Sequence, residues 1–106
     1  RLWVLPGGGV NPLESTESAA CREVREELGC AICNLTFVAT HYSEREGKRD
    51  SVWLYEAVTN EPITPDPKEV AEAAFFALDQ LPDAVSPATA RRIAERQGKR
   101  ERTTTW

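Results

Sequence analysis

Apolar positions along this chain change period several times, and each change marks an element. From Thr16 to Leu28, Cys21, Val24 and Leu28 recur at helical spacing and would face a core. Ser15 is a good N-cap, Glu17 lies in the first turn where the helix dipole favours an acid, and Gly29 supplies a stop. The pattern therefore predicts a helix over residues 16–28. Leu2–Leu5 reads as a short strand and Leu35–Tyr42 as a second, rich in Thr, Phe, Val and Tyr. After a polar turn at Glu44–Lys48, Ser51–Thr59 alternates as a third strand, so strands two and three should form an antiparallel hairpin. Pro62, Pro65 and Pro67 mark a loop, and Ala73–Leu78 is expected as a fourth strand. Ser86-Pro87 opens a second helix that runs to about Gln97. Residues 98–106 carry no core pattern and are expected to fray. There is no internal repeat, so residues 1–106 read as a single α/β domain.

The first helix has a second face. Glu23, Glu26 and Glu27 stand at i, i+3 and i+4 and fall within an arc of about 100°. Carboxylates so crowded repel one another, and a face meant only for solvent would intersperse lysines to form i,i+4 pairs. Two readings stay open on these residues alone: an ordinary solvated acidic face, or ligands for a hard divalent cation. Leu5-Pro6-Gly7-Gly8-Gly9 precedes the helix, and a glycine-rich entrance permits close backbone approach to a phosphate or a metal.

The stretch Gly8-x5-Glu14-x7-Arg22-Glu23-Val24-x-Glu26-Glu27-x-Gly29-Cys30 resembles the Nudix box, G-x5-E-x7-R-E-U-x-E-E-x-G-U, where U is aliphatic. Cys30 at the last aliphatic site is the one departure, a mild one because cysteine behaves as a small hydrophobe. Trp3-x-Leu5-Pro6-Gly7-Gly8 is similar to the usual lead-in. The resemblance implies an α/β (α+β) fold, an α/β/α sandwich with a mixed sheet and two helices. Such domains usually carry strands ahead of this lead-in, so one or more N-terminal strands are expected to be missing from this sequence.

The resemblance also implies an activity: hydrolysis of a pyrophosphate bond in a nucleoside diphosphate linked to a group X, with Mg²⁺ as cofactor and Mn²⁺ as a substitute. Glu23, Glu26 and Glu27 match the family's metal-binding glutamates, and Gly7 matches the residue that lends its backbone carbonyl. Arg22 matches the arginine that orients a neighbouring glutamate, and Glu14 a position that steadies the loop and helix. Gly8 and Gly9 would approach the substrate. Glu69, in Lys68-Glu69-Val70-Ala71-Glu72-Ala73-Ala74-Phe75-Phe76, resembles a late-loop acid that serves as a further ligand or as the base, with Glu72 next in line. A catalytically silent nucleotide-binding or sensor domain is the alternative. Loss of box residues would signal it, and none is lost. The partner implied is a small-molecule nucleotide, compatible with a homodimer.

Composition narrows the classes. With 13 basic and 17 acidic residues the net charge is −4, which argues against a nucleic-acid polymer as partner. No run of apolar residues is long enough for a membrane span. Cys21, Cys30 and Cys33 lack the pairing of a zinc site and read as reduced, structural cysteines, as in a cytoplasmic protein. Arg45, Lys48 and Arg49 crowd the hairpin turn and could clamp a phosphate or simply be solvated. His41, the single histidine, reads as structural, and Trp3, Trp53 and Tyr55 as packing residues. The basic residues between Arg91 and Arg102 are interrupted by Glu95 and Glu101 and read as a solvated helix end.

Overall fold

The computed structural model describes residues 2–45 and 47–106. The element order is α1 (Thr16–Leu28), β1 (Cys33–Arg45), β2 (Lys48–Val58) and α2 (Pro87–Arg96). β1 and β2 form a two-stranded antiparallel sheet, longer at the turn end than the alternation of the sequence indicates. Residue 46 and the side chains of Arg45 and Lys48, the proposed phosphate clamp of the turn, lie outside the described part.

α1 begins and ends where its caps dictate. Ser15 is extended (φ −73°, ψ 158°), and its hydroxyl accepts the Ser18 amide at 3.0 Å. Gly29 is left-handed (φ 64°), and its N–H returns to the Arg25 carbonyl at 2.9 Å. A β-carbon at Gly29 would also run into Thr64, so glycine is required twice over. The reason for that proximity is the proline loop. The Thr64 amide donates to the Leu28 carbonyl (2.7 Å) and the Asp66 amide to the Glu27 carbonyl (3.0 Å), filling acceptors that a helix end leaves open. α2 starts on Ser86, which accepts the Thr89 amide at 3.2 Å, followed by Pro87 in the first turn.

Two expected strands differ. Leu2–Leu5 reduces to one parallel bridge between Trp3 and Val85, held by Trp3 N–H to Ala84 O (2.7 Å) and Ser86 N–H to Trp3 O (2.9 Å). Ala73–Leu78 forms no strand among the described residues, and Phe75 is 73% exposed. Its apolar run has no neighbouring ladder, and strand propensity without a partner does not hold a strand. The tail, residues 98–106, carries backbone bonds: the Tyr42 amide donates to Thr104 O (2.7 Å) and the Trp106 amide to Tyr42 O (2.8 Å), a second parallel bridge at the Tyr42 position.

The chain forms two compact units. One comprises Pro6–Ala39 and Trp53–Ala74, hence α1, the base of the hairpin and the proline loop. The other comprises the residues up to Leu5, Thr40–Val52 and Phe75–Trp106, hence the hairpin tip and α2. In the first, the Thr16 hydroxyl meets the Tyr55 hydroxyl at 2.6 Å and ties the start of α1 to β2. Phe37 packs on Trp53 (5.6 Å) and Tyr55 (5.9 Å), while Cys21, Val24 and Leu28 are only half-buried. In the second, Trp3 packs edge-on against Phe76 at 5.0 Å. The fully buried apolar residues described are Ala19 and Cys30, and the three cysteines are free.

Candidate functional site

The acidic face of α1 is organised around one guanidinium. Arg22 Nε donates to Glu14 Oε2 at 2.9 Å and Nη2 to Glu14 Oε1 at 3.0 Å, a two-pronged pair. Nη1 reaches Glu23 Oε1 at 2.8 Å and, more loosely, Glu26 Oε2 at 3.3 Å. Nη2 also donates to the Gly9 carbonyl at 2.8 Å, so the same side chain fixes the glycine loop. Glu14 accepts the Asn11 amide at 3.0 Å, which closes the loop on itself. Arg22 holds the Glu14 carboxyl below its ordinary range, and Glu14 and Glu23 push the arginine above its own.

Glu27 has a different environment. It accepts the Gly7 amide at 3.0 Å, tying the loop entrance to the last turn of α1. Burial pushes its carboxyl up, the Gly7 bond opposes that, and the charges of Glu23, Glu69 and Glu26 push it up further. Glu69 is thus close enough to Glu27 to be felt. An Asx turn brings it there: Asp66 Oδ1 accepts the Lys68 amide (2.9 Å), and the Asp66 carbonyl accepts the Glu69 and Val70 amides (2.9 Å each). Gly8 lies under Glu23, and any β-carbon there would overlap the Glu23 carboxylate.

Glu23, Glu26 and Glu27 have different partners on this face. Among the described residues no group of three or more His, Cys, Asp or Glu side chains is gathered to hold a metal ion. The cause is local: Arg22 draws Glu23 and Glu26 to one side, and the Gly7 amide takes Glu27. The donor chemistry nonetheless fits a hard divalent cation. The donors are all oxygens, and Glu27 sits among like charges with only an amide to offset them.

Arg49 is an exposed residue of β2 and belongs to the second unit, whereas every box residue belongs to the first. Glu72 is exposed and Glu69 likewise. Two residues that position the site escaped the sequence reading, Thr64 and Asp66. The signal available for Asp66 was its place between Pro65 and Pro67, a turn composition.

A model of the NUDIX domain family matches residues 1–97. The chain belongs to the Nudix family. Among curated Nudix relatives, it is 34% identical over 96 residues to the NAD-capped RNA hydrolase NudC of Pectobacterium carotovorum, covering 90% of this chain and 36% of that protein. It is 45% identical over 47 residues to the CTP pyrophosphohydrolase of Escherichia coli K12, covering 44% of this chain and 35% of the relative. The chain therefore spans about a third of the length of these Nudix relatives. A crystal structure of a MutT Nudix hydrolase from Burkholderia pseudomallei superposes with a TM-score of 0.77 at 32% identity, over 87% of this chain and 74% of that one. No described helix is long and apolar enough to cross a membrane.

Proposed function

We propose that this chain is a Mg²⁺-dependent Nudix pyrophosphohydrolase acting on a nucleoside diphosphate linked to X, with Mn²⁺ as a substitute ion. The observation that carries this reading is the Glu27 carboxylate, placed at the helix end by Gly7 and crowded by Glu23, Glu26 and Glu69. Glu23, Glu26 and Glu27, with the Gly7 carbonyl, would hold the ion. When bound, a divalent cation neutralises the diphosphate and polarises its phosphoryl oxygen. The chain's own residues do the remainder. Arg22 fixes Glu23 and the Gly9 carbonyl, Gly8 makes room for the Glu23 carboxylate, and the space at Gly9 is open to a phosphate. Glu69, held out on the Asp66 turn, is the base that takes the proton of the attacking water. Three free cysteines fit a reducing, cytoplasmic compartment.

A second reading follows from one specific likeness. The NudC relatives are named for NAD-capped RNA, and the likeness to one of them covers 90% of this chain. A net charge of −4 favours a free nucleotide over a capped polymer. The test is a panel of nucleoside triphosphates, ADP-ribose, dinucleoside polyphosphates, nucleotide sugars, NAD and NAD-capped RNA, with and without Mg²⁺. Metal-dependent release of a mononucleotide supports hydrolysis. Binding without turnover in both Mg²⁺ and Mn²⁺ leaves a silent nucleotide-binding domain.

Two substitutions probe the site at lower cost. Glu69→Gln should reduce turnover about 10²-fold and leave metal affinity nearly unchanged, since a base is not a primary ligand. A parallel fall in metal affinity, read by titration calorimetry, would make it a ligand instead. Gly8→Ala places a methyl group where the Glu23 carboxylate lies. Displacing that carboxylate by about 1 Å should also cost about 10²-fold in kcat with little change in Tm. An unaltered kcat would show that Glu23 can move without consequence.

A further inference from the structure

Outside the acidic face, the most unusual feature of the molecule is a buried polar cluster in the second unit. α2 buries Thr89, Arg92 and Glu95, a polar stripe where an apolar one is the rule. Arg92 is 2% exposed, Glu95 8% and His41, on β1, 1%. Arg92 and Glu95 together clasp the last residues of the chain. Arg92 Nη1 donates to the Thr105 carbonyl at 3.0 Å, and Nη2 to the Thr103 hydroxyl at 3.2 Å. Glu95 Oε2 accepts the Thr103 amide at 2.9 Å. The Trp106 ring lies 5.2 Å from the guanidinium and 5.6 Å from the His41 ring. Residues Thr103–Trp106 thus form a strap across β1 at Tyr42, fastened by α2.

Arg91 Nη2 also donates to the Trp106 carbonyl, and among these ties one contact of Arg92 can be altered by a proton. Arg92 Nη1 lies 3.0 Å from His41 Nδ1. An arginine has donors and no acceptor, so Nδ1 must accept, and the ring carries its proton on Nε2. The Thr103 backbone also bears on this ring and favours its charged form. A proton added to Nδ1 would set two donors and two positive charges against each other in a buried site. We propose that His41 is a proton-operated latch: the strap Thr103–Trp106 is docked while Nδ1 accepts from Arg92, and it detaches when Nδ1 is protonated.

The surrounding charges work in this direction. Burial lowers the His41 value first, and Arg92 of α2 and Arg102 ahead of the strap lower it further. Glu95 and the Thr103 backbone oppose them. Glu95 is already engaged by Arg92, whose Nε stands 2.9 Å from Oε1 without the alignment of a hydrogen bond. Little negative charge therefore remains to receive an imidazolium. A histidine whose folded-state value is lowered binds fewer protons docked than released. Docking is then favoured above the ordinary value of 6.5 and is lost as the pH falls from there towards the folded-state value.

His41 is the chain's single histidine, so its ring protons report without ambiguity. The experiment follows those protons by NMR from about pH 8 to about pH 5, together with hydrogen exchange of the Tyr42 and Trp106 amides, in the whole chain. The undocked fraction should rise about tenfold per pH unit in the window where the ring takes its proton. His41→Asn keeps an acceptor oxygen near the Nδ1 position and does not titrate there, so its strap should stay protected throughout. Equal protection of both amides at either end of the range overturns the latch. So does a His41→Asn protein that loses protection in step with the wild type. Should that variant not fold, the wild-type comparison decides alone, because strap release outside the window of His41 protonation is fatal to the idea.

Discussion

Glu27→Gln should fold normally and lose turnover by about 10³-fold or more. The amide oxygen can still accept the Gly7 N–H that the carboxylate accepts now at 3.0 Å, so the loop entrance keeps its tie to α1. What disappears is one negative charge from a face where Glu23, Glu26 and Glu69 already repel it. In the metal-free protein that loss relieves repulsion, and Tm should rise slightly. In the metal-loaded protein it removes a ligand charge, and the demand for Mg²⁺ should increase. The combination of a steadier fold with a silenced reaction separates a site built for a cation from an ordinary solvated face. The measurements are kcat on the best substrate of the panel, the Mg²⁺ concentration at half-maximal rate, and a thermal melt in chelator. Wild-type turnover in this variant would end the hydrolase reading.

The parts of this molecule that were legible in the sequence are those fixed by neighbours along the chain. Ser15 and Gly29 set the limits of α1, Ser86 and Pro87 open α2, and the alternation of β2 pairs it with β1 across a short turn. Spacing likewise places Arg22 among Glu14, Glu23 and Glu26, since all lie within one loop and helix. What escaped depends on partners far away in sequence. Thr64 and Asp66 matter because their amides meet the open carbonyls of α1, which no local pattern announces. Ala73–Leu78 has the composition of a strand but no ladder to join. The basic run Arg91–Arg102 reads as a solvated surface, yet Arg92 is among the most buried side chains, because its acceptors are supplied by His41 and the strap.

That burial sets the size of the last expected effect. Arg92→Met should destabilise the protein by about 3 kcal/mol, the usual cost of removing one member of a buried ion pair. The side chain has nearly the right length, so the loss is electrostatic more than steric. Glu95 would remain 8% exposed with its charge unmatched, and the Thr105 carbonyl and Thr103 hydroxyl would lose their donor. Trp106 would lose the cation beneath its ring. Arg92→Met/Glu95→Leu should recover part of the loss, because two apolar side chains can replace a buried pair with little net change. Recovery should stop short of the wild type, since the Thr103 amide would then have lost the acceptor it now finds at 2.9 Å. Urea unfolding of the three proteins tests this through their midpoints at constant slope. If the single variant lies within about 0.5 kcal/mol of wild type, as exposed substitutions do, the cluster is not holding the strap. A double variant less stable than the single one would instead place the stabilisation in Glu95 and its bond to Thr103.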